Sequence, residues 1–172
     1  SRYLSDNPFT FDELVSNSEF IKVDVQTQVE EYHRKLDMNT VKWWREQPKS
    51  VQNDLIEPSE NDAPFEELLT FFKGLFGAEG TVRKVYTRGN TFDPIVLDGI
   101  LEDLGSGPLF PHWAVRDTRS TIDAFAYGAD IKNSFIVPGL ESKFIAHDPR
   151  HDVAMDVMRM QYLVRLLNDM EG

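Results

Sequence analysis

The sequence predicts an α/β layer fold in which helices pack on a sheet. Three observations carry that expectation. Strand-like and helix-like segments alternate through the second half of the chain. Two segments carry apolar residues at helical spacing: Phe65, Leu68, Leu69, Phe72, Leu75 and Phe76 in one, and Val153, Val157, Met160, Val164 and Leu167 in the other. With 41% hydrophobic residues, including 12 Phe, 5 Tyr and 3 Trp, a chain of 172 residues has the material for one core and one domain.

Taken in order, residues 9–15 and 20–25 combine apolar and β-branched residues and read as short strands or a hairpin. Asn39-Thr40 caps a helix through Val41, Trp43, Trp44 and Arg45, which Pro48 ends, and a short helix covers residues 49–56. Pro64 stands near the first position of the next helix, and Gly77 and Gly80 close it. Residues 82–87 read as a strand, Arg88-Gly89-Asn90 as a turn, and residues 93–104 as a helix. Residues 113–116 form a short strand, and Asp117-Thr118 opens a helix through Ile122 and Phe125. Residues 134–147 read as loop, and the last helix runs over residues 152–167.

A net charge of −11 counts against a non-specific nucleic-acid coat protein, whose affinity comes from neutralising phosphates. It counts less against an enzyme that meets phosphate through divalent cations, because those need carboxylates. The chain has no cysteine, which excludes disulfides, thiolate catalysis and Cys-ligated zinc and fits a reducing compartment. No apolar run reaches membrane-spanning length, so the expected setting is cytoplasmic, with no membrane partner.

Two short segments carry candidate chemistry. In Ala146-His147-Asp148-Pro149-Arg150-His151-Asp152, an imidazole just ahead of a helix and a carboxylate in its first turn are held near one point. A metal-assisted hydrolase needs one group to hold a cation and another to take a proton from water. By itself the segment reads first as a solvated histidine and an aspartate placed by the helix dipole. In Gly89-Asn90-Thr91-Phe92-Asp93-Pro94 a strand ends, a turn follows and Asp93 stands at a helix start, where α/β folds place ligands. Asp before Pro is also a helix-capping pattern. If both loops open on the same sheet edge, Asp93 and Asp152 can share Mg²⁺ or Mn²⁺ with His147 beside it.

Gly89-Asn90-Thr91-Phe92-Asp93, followed downstream by His147 and Asp152, resembles the second and third motifs of the DEDDh group of 3′-5′ exonucleases, which have an RNase H-like fold. Phe11-Asp12-Glu13-Leu14-Val15, Thr40-Val41-Lys42-Trp43-Trp44, Arg116-Asp117-Thr118-Arg119 and Ala146-His147-Asp148 are similar to the branch uniting phage exonuclease A proteins with bacterial exoribonuclease-like proteins. The similarity runs over residues 11–167. The resemblance implies an RNase H-like mixed sheet flanked by helices and a two-metal mechanism with Mg²⁺ or Mn²⁺. Asp152 would ligate the metal that activates water, Asp93 would help hold the second metal, and His147 would be the general base. Asn90 and Phe92 would touch the terminal nucleotide, with Phe92 equally readable as core. The implied partner is the 3′ end of a single-stranded DNA or RNA, in the host cytoplasm if the protein is phage-encoded.

The group's amino-terminal strand with its Asp-x-Glu ligands is absent from the start of this chain. Residues 1–172 are therefore expected to be a single exonuclease domain whose first strands precede Ser1. If the chain is complete, the expectation becomes an inactive nuclease-fold binding or interaction module. A third reading is a metal phosphohydrolase outside the nucleases.

Other residues read as structural. Adjacent Trp43 and Trp44 could stack on bases, but side chains one residue apart on a helix point about 100° apart, so the two are not expected to face one site, and the first expectation is one core indole and one partly exposed. His33 and His112 read as surface residues, and Asp117 as a cap. Arg116 and Arg119 could contact phosphate or pair with acids. Asp148 points away from His147, and His151 competes with His147 for the role of base.

Overall fold

The computed structural model describes residues 8–76, 84–126 and 130–171. It is α/β and helix-rich. Helices α1 (Phe11–Ser16), α2 (Val25–Glu30), α3 (Met38–Arg45), α4 (Lys49–Leu55) and α5 (Glu67–Phe76) precede strand β1 (Val85–Thr87). Then come α6 (Asp93–Asp103), a 3₁₀ turn (His112–Ala114), β2 (Val115–Asp117), α7 (Thr118–Phe125) and α8 (Pro149–Glu171). Among the described residues the expected mixed sheet is a parallel pair, β1 with β2, in register Val85–Val115, Tyr86–Arg116 and Thr87–Asp117. A parallel pair needs a long crossover, which α6 supplies.

The first expected strand is a helix. Thr10 Oγ1 accepts from the Glu13 N–H at 3.3 Å, and the Glu13 carboxylate accepts from the Thr10 N–H at 2.8 Å. This reciprocal capping box satisfies donors that a helix start leaves open. Phe11 and Leu14 are then one turn apart and buried against Val137, Ala154 and Met155. The second expected strand shrinks to one bridge, Val23 with Ala63, because Asp24 immediately caps α2. The cap of α3 is Asp37, whose carboxylate accepts from the Thr40 N–H at 2.7 Å, rather than Asn39-Thr40.

Other elements follow the sequence more closely. Helix α4 lies where expected, and α6 carries Pro94 in its first turn. Asp117 caps α7 through the N–H groups of Arg119 and Ser120. Phe65, just ahead of α5, and Leu68 within it are buried, but the helix begins at Glu67 rather than beside Pro64, and the predicted stripe leaves Leu75 49% exposed. Gly77, Gly80 and the start of the strand expected over 82–87 lie outside the described residues. Among the described residues no helix is long and apolar enough to cross a membrane.

The last helix corrects its predicted stripe. Of Val153, Val157, Met160, Val164 and Leu167 only Met160 is buried, while Val153 is 62% exposed and Leu167 40%. The buried face runs through Met155, Asp156, Arg159, Met160 and Leu163. It packs on α1 through Ala154 and Met155, and on α7 through Met160 and Leu163 against Ile122 and Ala126. Counting only apolar residues missed this face because two of its positions are charged. Their burial is tolerated because they pair with each other.

Candidate active site

The segment ahead of α8 forms a rigid hook. Asp148 is 5% exposed and accepts from Arg150 three times: from its N–H at 2.9 Å, Nε at 3.0 Å and a terminal guanidinium nitrogen at 2.6 Å. Burial pushes the Asp148 carboxyl up, but the Arg150 side chain and backbone outweigh it and hold the group below the ordinary range. The Asp148 carbonyl accepts from the Asp152 N–H at 2.8 Å and starts α8. Asp148 is thus a clamp on Arg150.

The two histidines of the hook have separate surroundings. His151 Nδ1 accepts from the Ile145 N–H at 3.3 Å, and its ring packs edge-on against Phe11 at 5.5 Å. His147 sits in the left-handed region at φ 70°, a conformation that costs a non-glycine residue energy. Its ring meets Trp43 at 4.8 Å and Trp44 at 6.5 Å. Both indoles therefore face one point, against the expectation that one would enter the core. Trp43 is exposed and Trp44 half-buried.

Asp152 lies between His147 and a charged network. Burial pushes its carboxyl above the ordinary range, against a backbone hydrogen bond from His147, the His147 ring and Arg88, while Asp156 pushes it further up. A raised carboxyl in partial burial is a property of many reactive sites.

The Asp93 loop is connected to α8 by the Arg88 side chain. Asp93 does not cap α6; its Oδ2 accepts from the Arg88 N–H at 3.1 Å. The Arg88 guanidinium donates to Asp156 Oδ1 and, at 3.4 Å, to the Asn133 carbonyl. Asp156 also accepts from Thr118 Oγ1 at 2.6 Å and from Arg159 at 2.6 Å. Arg159 in turn donates to the carbonyls of Phe135 and Ser134 at 2.6 and 3.1 Å. Asn90 accepts from Thr87 Oγ1 at 3.2 Å, and Phe92 is 69% exposed rather than core. Gly89, at φ 124°, makes the turn that a side chain would strain.

This network was missed from sequence. Its one local signal is Asp156 three residues before Arg159 inside an apolar helix. Asp156→Ala would leave Arg159, itself 5% exposed, without its carboxylate. The expected cost is about 3–5 kcal/mol, measured by urea unfolding, because an uncompensated buried charge is the expensive outcome.

Remaining polar candidates are structural. Arg116 donates to the carbonyls of Trp113 and Val115 at 2.6 and 2.8 Å. His33 and His112 are exposed, as expected.

The donor set does not complete a metal centre. Asp152 lies near His147 and Arg88, while Asp93 touches the Arg88 backbone, and among the described residues no three His, Asp or Glu side chains stand close enough to hold an ion. Asp156, one turn beyond Asp152, is saturated by two arginines and Thr118. The chain's one Asp-x-Glu, Asp169-Met170-Glu171, lies at the end of α8 rather than on a strand. These residues alone do not fit a two-metal site.

Comparison with known proteins identifies the family. An exodeoxyribonuclease of Enterobacteria phage T4 is 31% identical over 178 residues, covering 94% of this chain and 77% of that protein. No solved structure matches the chain. Residues 10–155, which contain Asn90, Phe92, Asp93, His147 and Asp152, match the model of the 3′-5′ exoribonuclease Rv2179c-like domain, and the chain belongs to that 3′-5′ exonuclease family.

Proposed function

We propose that the protein is a DEDDh-type 3′-5′ exonuclease, one nuclease domain with an RNase H-like arrangement, acting in the cytoplasm on single-stranded nucleic acid. Family membership carries the reading. The placement of His147 and Asp152 at one end of α8 supports it. His147 takes a proton from water, whose oxygen then attacks the phosphorus of the last phosphodiester. The bond from phosphorus to the preceding 3′ oxygen breaks, releasing a nucleoside 5′-monophosphate and a new 3′ hydroxyl. Asn90 and the exposed Phe92 flank Asp93 and meet the terminal nucleotide. Mg²⁺ or Mn²⁺ would suit this chemistry as a Lewis acid, with Asp93 and Asp152 as proposed donors that do not by themselves complete a site.

The test uses single-stranded DNA and RNA labelled at the 5′ end, with Mg²⁺ or Mn²⁺. The expected product is a ladder shortening from the 3′ end together with free mononucleotides. Internal cuts, or no shortening of either polymer, overturn the reading. The ungathered donor set favours a second reading, a nuclease-fold binding module. Retention of the 3′ end without any shortening identifies that case.

A further inference from the structure

Helix α3 contains no buried residue, so its two tryptophans do not fill the core. Trp43 keeps 42% of its surface exposed while its ring contacts Trp44 and His147, each at 4.8 Å. The indole therefore lies beside the proposed reaction centre with surface to spare. The same helix carries exposed Lys42 and Arg45, with Asp37 and Glu46 at its two caps. An exposed indole edge-on to a proposed general base, rather than packed in the core, suits a ligand that carries flat rings.

We propose that Trp43 is the base-stacking residue of the site, taking the nucleobase next to the scissile phosphate. The inference rests on the exonuclease reading for the location of that phosphate. Stacking is tolerant of base identity, because every base offers a π face. It suits an enzyme that must remove each nucleotide in turn. His147 at the edge of the indole would then be aligned with the phosphate of the stacked nucleotide.

The test compares wild-type protein with Trp43→Ala and Trp43→Phe. For single-stranded oligonucleotides, Trp43→Ala is expected to raise KM about tenfold with kcat within about twofold, and Trp43→Phe to recover most of the loss. In parallel, oligothymidylate is titrated into each protein in EDTA, without turnover, and indole fluorescence is followed. Wild-type emission is quenched, and the quench disappears in Trp43→Ala while Trp44 and Trp113 still emit. A lower kcat at unchanged KM means that Trp43 acts only on His147, and overturns the proposal. An identical quench in wild type and Trp43→Ala also overturns it. Because the titration needs no cleavage, a protein that binds through Trp43 but never shortens its strand would remove the exonuclease reading and leave the stacking role standing.

Discussion

Asp152→Asn is expected to abolish 3′-end cleavage and to leave the fold as stable as the parent, or more so. The carboxylate is partly buried, with Asp156 one turn away, and burial raises its carboxyl above the ordinary range. The protonated form therefore stabilises the fold below the ordinary carboxylate range near pH 4. That contribution is lost as pH rises through the raised value. At neutral pH the native protein carries an ionised group that its surroundings disfavour. Asparagine has the same shape without the charge, and its carbonyl can still accept from the His147 backbone. Thermal unfolding in EDTA should show a Tm at least equal to wild type at pH 7, with any advantage shrinking as the pH approaches 4. Retained nuclease activity in Asp152→Asn would remove Asp152 from the site. A Tm advantage that grows on acidification would contradict the burial argument.

His147→Ala is expected to lower turnover by about 10²–10⁴, the usual contribution of a general base, with little change in KM. Alanine at φ 70° also strains the backbone, so His147→Asn is the cleaner control, since asparagine enters the left-handed region more readily. Both variants should be equally inactive, and the asparagine form the more stable. His151→Ala gives the contrasting result. That ring packs on Phe11 and accepts from the Ile145 N–H, so its loss should lower stability and leave the rate of folded protein near wild type. If His151→Ala is inactive while His147→Ala keeps full rate, the motif has been assigned one helical turn out of place.

What was legible in the sequence was local. The cap of α7 by Asp117, the Pro94 start of α6 and the hook from His147 to Asp152 each depend on residues within one or two turns. The first helix was equally local and still missed, because Phe11 and Val15 suggest β structure while the capping box of Thr10 and Glu13 decides otherwise. The buried face of α8 was misplaced because a charged pair took positions that apolar counting assigns to solvent. The approach of Trp43 and Trp44 to His147, and of Arg88 to Asp156, joins segments distant in the chain, and no periodicity encodes such a meeting.

The bond from Arg88 to Asp156 spans 68 positions. Contacts of that separation form late, because a long loop must lose its freedom before they give anything back. The loop holding Asp93 is anchored by the pairing of β1 with β2, and it is tied to α8 only through Arg88. His147 and Asp152 also belong to that last stretch of the fold. Docking of α8 therefore sets the position of His147 and Asp152 together, so a variant that loosens α8 from α1 or α7 is expected to lose the proposed site as a unit.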